Sequence, residues 1–197
     1  MLLIRWIVWP IISLFVRHVE GLNKLPDGPF ILVSNHASYI DGPLLIALLY
    51  RFKKARVCFL VTKEGFTGKF WDWIFRKGGA VRVNGSVDSA VALIKNGFSV
   101  GLMPEGKRTA TGWPDEKIEH TGIGVLALLT KRPVVPVYVE TFSFWSRHHF
   151  FPTFHNSIVV RFGKPLQFSA KSTKVNIQRA KARIWREVKK LARVSYV

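Results

Sequence analysis

At 197 residues the chain has room for one domain with a substantial core and too little for two large ones. Its single cysteine, Cys58, lies in the apolar run Val57-Cys58-Phe59-Leu60-Val61, which excludes an internal disulfide framework. Hydrophobic residues reach 48% beside a formal net charge of +18, a pairing that suits a protein lying against an anionic surface, either nucleic acid or a membrane leaflet.

In chain order, the first nineteen residues are apolar but interrupted. Trp6-Ile7-Val8-Trp9-Pro10-Ile11-Ile12-Ser13-Leu14-Phe15-Val16 is bracketed by Arg5 and Arg17 and contains Pro10. That falls short of the roughly 20 apolar residues of a spanning helix. No small-x-small cleavage site follows, so a signal peptide is disfavoured. The pairing of tryptophan with arginine predicts an interfacial helix, residues 1–20 forming an amphipathic membrane-associating segment and residues 21–197 the domain proper. The plainer alternative is a helix packed on the core.

The turn cluster Leu25-Pro26-Asp27-Gly28-Pro29 then delivers the chain into alternating strand and helix patterns. Strands are expected at Phe30–Ser34, Val57–Thr62, Ala80–Val83, Ser99–Met103, Val134–Val139 and Ser157–Phe162. Helices are expected at Ser38–Tyr50, Lys69–Arg76, Val87–Lys95, Ile118–Thr130 and from Lys174 onward. The alternation implies a single α/β domain, a mostly parallel central sheet flanked by helices on both faces. In such sheets the functional groups gather beyond the C-terminal ends of the strands. Asn35-His36 and Pro104-Glu105-Gly106 both directly follow expected strands, so they are expected to share that edge. The last helix sets Ile177, Ile184, Trp185, Val188 and Leu191 against a basic face, which fits either a solvated surface or membrane contact.

His36 is followed five positions later by Asp41. An imidazole in a strand-to-helix turn, oriented by a carboxylate on one ring nitrogen, is a plausible general base. The alternative is a capping box, Ser38 as cap and Asp41 at the third helical position. A near P-loop, Gly101 to Lys107, fails because Arg108 replaces the Mg²⁺-binding Ser/Thr and Glu105 puts negative charge in the cradle. His148, His149 and His155 lack a nearby Cys or acidic ligand, so no metal site is expected. They lie in an aromatic loop, Phe142 to Phe154, suited to lipid contact, acyl-chain shielding or core packing.

Asn-His, four residues, Asp, at Asn35 to Asp41, resembles the signature of the glycerolipid acyltransferases, of which lysophosphatidic acid acyltransferase is the best-known type. Met103-Pro104-Glu105-Gly106-Lys107-Arg108-Thr109 resembles the family's Phe-Pro-Glu-Gly-Thr-Arg-Ser block. Lys63-Glu64 with Gly78-Gly79-Ala80-Val81-Arg82 is similar to its second block, and Val134-Val135-Pro136-Val137-Tyr138 to its final strand. Lys107 departs from the family's small hydroxylated residue. The family's arginine falls nearer Asn84-Gly85, so Arg82 is either its shifted equivalent or a surface arginine.

The resemblance implies acyl transfer from a thioester, on acyl-carrier protein or CoA, to the hydroxyl of a lysophospholipid. The acceptor it points to is 1-acylglycerol 3-phosphate, giving phosphatidic acid. It makes His36 the base and Asp41 its partner. Asn35, Lys63, Arg82, Glu105, Gly106, Lys107 and Arg108 become the substrate-binding set, with Arg108's fork suited to phosphate. No cofactor is implied beyond the thioester co-substrate. The setting implied is an anionic membrane surface at its cytoplasmic face, with no nucleic acid partner. Two rival readings are an acyltransferase for a lyso-aminolipid without phosphate, and a basic nucleic-acid- or membrane-binding module without catalysis.

Overall fold

The computed structural model describes residues 9–61, 80–82, 87–148, 151–155 and 157–193. Along it run α1 (Trp9–Ser13), β1 (Val16–Glu20), a 3-10 turn (Leu22–Lys24), β2 (Ile31–Ser34), α2 (Asp41–Lys53), β3 (Val57–Val61) and β4 (Ala80–Arg82). There follow α3 (Asp88–Lys95), β5 (Ser99–Leu102), α4 (Gly122–Thr130), β6 (Val134–Glu140), α5 (Phe142–Trp145), β7 (Ile158–Phe162) and α6 (Lys174–Ala192). The expected helix at 69–76 lies outside the described residues, as do Lys63 and His149.

The strands form one sheet in the order β1-β7-β6-β2-β5-β3-β4. The five strands β6, β2, β5, β3 and β4 are parallel, while β7 turns back against β6 and carries β1 parallel to itself. All of β2 is buried, and its continuous apolar run reflects a strand covered on both faces. Its side chains alternate between two cores. Leu32 packs with α1 and α2 on one face, whereas Ile31 and Val33 pack with α3, α4 and α6 on the other.

The chain leaves β2 through α2 onto the first face and leaves the adjacent β5 through α4 onto the second. A crevice therefore opens at the C-terminal ends of β2 and β5. Helix α2 begins with Asp41-Gly42-Pro43, the proline standing in the first turn where its missing N–H costs nothing. The helix ends at Lys54, whose left-handed backbone lets its N–H reach the Leu49 carbonyl.

The N-terminal segment departs from expectation. The described helix stops at Ser13, and Val16 to Glu20 is an edge strand pairing with β7, so the sheet begins before residue 21. Val-Arg-His-Val-Glu mixes β-branched and polar residues as a half-covered edge does. Glu20 anchors it, with Oε1 3.2 Å from Nε of Arg161, a side chain 3% exposed.

Candidate active site

The turn after β2 is held by its own polar groups. Asp41 is fully buried, and its Oδ2 accepts from the backbone N–H groups of Ala37 at 2.7 Å and Ser38 at 2.8 Å. The same oxygen lies 2.9 Å from His36 Nδ1. An oxygen already taking two backbone donors is an acceptor, so Nδ1 carries the ring proton and Nε2 presents its lone pair. Nε2 has no partner among the described residues, and the His36 side chain is 22% exposed. Asp41 Oδ1 accepts from the hydroxyl of Thr141, the first residue beyond β6.

The expected capping box is half present: Asp41 reaches back to the Ser38 N–H, but Ser38 Oγ accepts from the Ile40 N–H at 3.3 Å and not from that of Asp41. The regular helix begins only at Asp41. The carboxylate thus caps and orients at once.

The loop after β5 is stitched to this turn. Glu105 turns inward: its Oε2 accepts from the His36 N–H at 2.6 Å and its Oε1 from the Asp115 N–H at 2.8 Å. Thr109 N–H returns a bond to the His36 carbonyl at 2.8 Å. Burial pushes the Glu105 carboxyl from 4.5 up to about 7; the two backbone N–H groups pull it down, and the Asp115 and Asp41 charges push it further up. Both carboxylate oxygens of Glu105 thus hold backbone N–H groups, one of them that of His36. Gly106 has φ +70°, a left-handed value, and a Cβ there would come within 3.1 Å of His120 Nε2.

Asn35 is fully buried, its Nδ2 donating to the Val139 carbonyl at 2.9 Å and its Oδ1 accepting the Val139 N–H at 2.8 Å. The amide extends the β2–β6 pairing by one rung beyond Ser34 and Val137.

Arg108 does stand at the rim. Its guanidinium lies 3.9 Å over the ring of Tyr39, which is 43% exposed and stacks on Trp145 at 5.3 Å. Its buried Nε has no hydrogen-bond partner among the described residues. Lys107 is exposed beside it. The backbone of Arg82 ends β4 on the same sheet edge, three strand spacings from β2, or about 14 Å. Lys63 lies outside the described residues.

Sequence reasoning passed over Thr141, Asp115 and Tyr39. Thr141 obeyed the rule already used for His36, because it follows a buried strand at the same edge. In the aromatic loop, Phe144 packs in the core while Phe151 and Phe154 are 71% and 63% exposed. The Trp145 carbonyl accepts from Ser38 Oγ.

His36 and its buried partner Asp41 thus sit in one turn, stitched to the loop that carries Glu105 and Arg108. A family model described as Acyltransferase matches residues 16–140, which is more than half of the sequence, and the chain belongs to that family. A chloroplastic 1-acyl-sn-glycerol-3-phosphate acyltransferase of Brassica napus is 31% identical over 146 residues, 66% of this chain and 40% of that protein. A chloroplastic enzyme of the same description from Arabidopsis thaliana is 32% identical over 119 residues, 53% of this chain and 32% of that protein. The chain thus spans less than half the length of either plant relative. The crystal structure of a 1-acyl-sn-glycerophosphate acyltransferase, PlsC, from Thermotoga maritima shares the fold, with a TM-score of 0.65 at 24% identity over 93% of this chain and 76% of that one.

Proposed function

We propose that this chain transfers a fatty acyl group from a thioester, on acyl-carrier protein or CoA, to the free hydroxyl of a lysophospholipid, 1-acylglycerol 3-phosphate in the first instance, giving phosphatidic acid. The observation that carries the reading is the His36–Asp41 pair, 2.9 Å apart, with Nε2 unengaged among the described residues. An alcohol is a weak nucleophile at neutral pH, so Nε2 takes the hydroxyl proton as oxygen attacks the thioester carbonyl. Asp41 holds the ring and stabilises the imidazolium. Collapse of the tetrahedral adduct expels the thiolate, which recovers the proton from His36. The hydroxyl belongs to substrate, so no acyl-enzyme forms. The plant relatives, named for this acceptor, support the choice of substrate.

Arg108 takes the acceptor phosphate. Its Nε, unpaired among the described residues, supports this, as does the Tyr39 ring that braces one face of the guanidinium. Glu105 no longer stands in the way, because its charge is directed at backbone N–H groups.

The α1–α2 face meets the membrane. Ile11, Leu14 and Phe52 are 56%, 70% and 50% exposed there, and Trp9 stands edge-on to Phe52 at 5.2 Å. Lys53, Lys54 and Arg56 line a cleft at the end of α2 and suit an anionic leaflet. No helix among the described residues is long and apolar enough to cross a membrane. Contact from the cytoplasmic side is part of this proposal.

The test is transfer by purified protein from a labelled acyl thioester to lysophosphatidic acid, beside His36→Ala. Activity in wild type and its loss in the variant support the reading; equal activity in both sinks the His36 mechanism. Transfer only to lysolipids without phosphate moves the acceptor to a lyso-aminolipid.

A further inference from the structure

A net +7 of the +18 charge lies on one helix and its C-terminal cap. Helix α6 and the residue after it carry Lys174, Arg179, Lys181, Arg183, Arg186, Lys189, Lys190 and Arg193 against a single acid, Glu187. These cations divide by face. Lys181 and Lys189 turn toward the protein, donating to the Ile118 carbonyl at 3.0 Å and to Glu116 Oε2 at 2.8 Å. Arg179, Arg183, Arg186, Lys190 and Arg193 are all exposed, in alternating steps of four and three. That spacing sets them in one row along the outer face, about 21 Å long at 1.5 Å per residue. Little neutralises the row from within. Glu187 meets Lys190 at 2.8 Å and Arg186 at 3.9 Å, while Arg183 lies 5.5 Å over the Phe168 ring.

The position of the row decides its partner. Ile184, Trp185 and Val188 seat α6 on the core shared with α3 and α4, on the opposite face of the sheet from α1 and α2. A membrane touching Ile11, Leu14 and Phe52 therefore lies across the sheet from this row. The same helix also reaches the catalytic loop. Trp185 Nε1 donates to the Asp115 carbonyl at 2.8 Å, and the Asp115 N–H holds Glu105, which holds His36.

We propose that the outer face of α6 is the docking surface for an acidic protein that delivers the acyl group as a thioester. This rests on the acyl-transfer reading, since that reaction needs a thioester donor. A rigid row of five cations is longer than one small-molecule donor requires and complements an acidic helix of a carrier protein.

The experiment measures binding of fluorescently labelled palmitoyl-acyl-carrier protein to the full chain by polarisation at low salt. Wild type is compared with Arg179→Glu/Arg183→Glu/Arg186→Glu and with the milder Gln triple variant, folding being checked by circular dichroism. The expected result is wild-type binding that weakens with salt and falls about tenfold or more in the Glu variant, with a smaller loss in the Gln variant. Transfer from palmitoyl-CoA and association with phosphatidylglycerol vesicles stay as in wild type. Absence of wild-type binding, or equal binding by all three proteins, overturns the proposal. So does loss of vesicle association in the variants, which puts lipid on α6, or duplex DNA competing as well as the carrier. Carrier binding by a wild type that transfers from neither donor keeps the docking surface and removes the reaction. Transfer from CoA without carrier binding does the reverse.

Discussion

The turn at His36 and the rim at Arg108 are built on opposite terms. Around His36 the polar groups are engaged: Asp41 accepts from Ala37, Ser38, His36 and Thr141, and Glu105 holds the His36 N–H. Arg108 rests on an exposed aromatic ring with its buried Nε unpaired among the described residues. A group that moves a proton gains from being fixed before substrate arrives, because a misdirected lone pair loses rate directly. A group that binds charge gains from unspent donors, because an internal partner competes with the ligand. Under the proposed reaction the first region is expected to govern kcat and the second KM.

The sharpest break is His36→Ala, expected to lower kcat about 10²–10⁴-fold while thermal stability stays near wild type. A variant that retains most of its rate would dissolve the contrast. Asp41→Asn should cost both rate and stability, since a carboxamide cannot accept from every donor now converging on it; steady-state kinetics and thermal unfolding read the two losses together. Arg108→Ala should raise the KM for lysophosphatidic acid about ten- to a hundredfold with kcat little changed. Tyr39→Ala should raise the same KM only a few-fold, as about 1 kcal/mol of stacking disappears, and Tyr39→Phe should restore it.

Glu105 gives the most specific effect, one confined to a pH window. Its carboxyl titrates near 7 when folded, against an ordinary 4.5. Between those values the folded protein holds a proton the unfolded chain has released, so stability declines as pH rises through the window and levels off above it. The slope is about 1.4 kcal/mol per pH unit at its steepest. Melting temperatures of Glu105→Gln across that range should lose this slope.

The sheet was legible wherever a strand is covered on both faces. Ile31–Val33 and Val134–Val139 read as apolar runs because burial on both sides demands them. Val16–Glu20 was hidden because an edge strand beside a charged partner carries arginine, histidine and glutamate, and an apolar stretch just before it drew the helix reading onward. At the site, His36 and Asp41 were visible as neighbours five positions apart. Their supports were not: Glu105 lies 69 residues from His36, and Thr141 lies 100 from Asp41. Spacing cannot report contacts that only the register of β2 with β5 and β6 creates. Resemblance supplied Asn35 and Glu105 as residues but not the direction in which they point, and both point inward.

Asn35 carries a consequence for which replacements this fold tolerates. Its amide imitates a peptide unit, giving one donor and one acceptor to Val139 and tying β2 to β6 beside the crevice. Aspartate has nearly the same shape, yet it sets an oxygen against the Val139 carbonyl and brings a charge into a fully buried position. Leaving that carbonyl facing another acceptor costs about 1–3 kcal/mol before the charge is counted. The closest isostere is therefore among the worst substitutes, and the mouth of the crevice depends on the difference between one nitrogen and one oxygen.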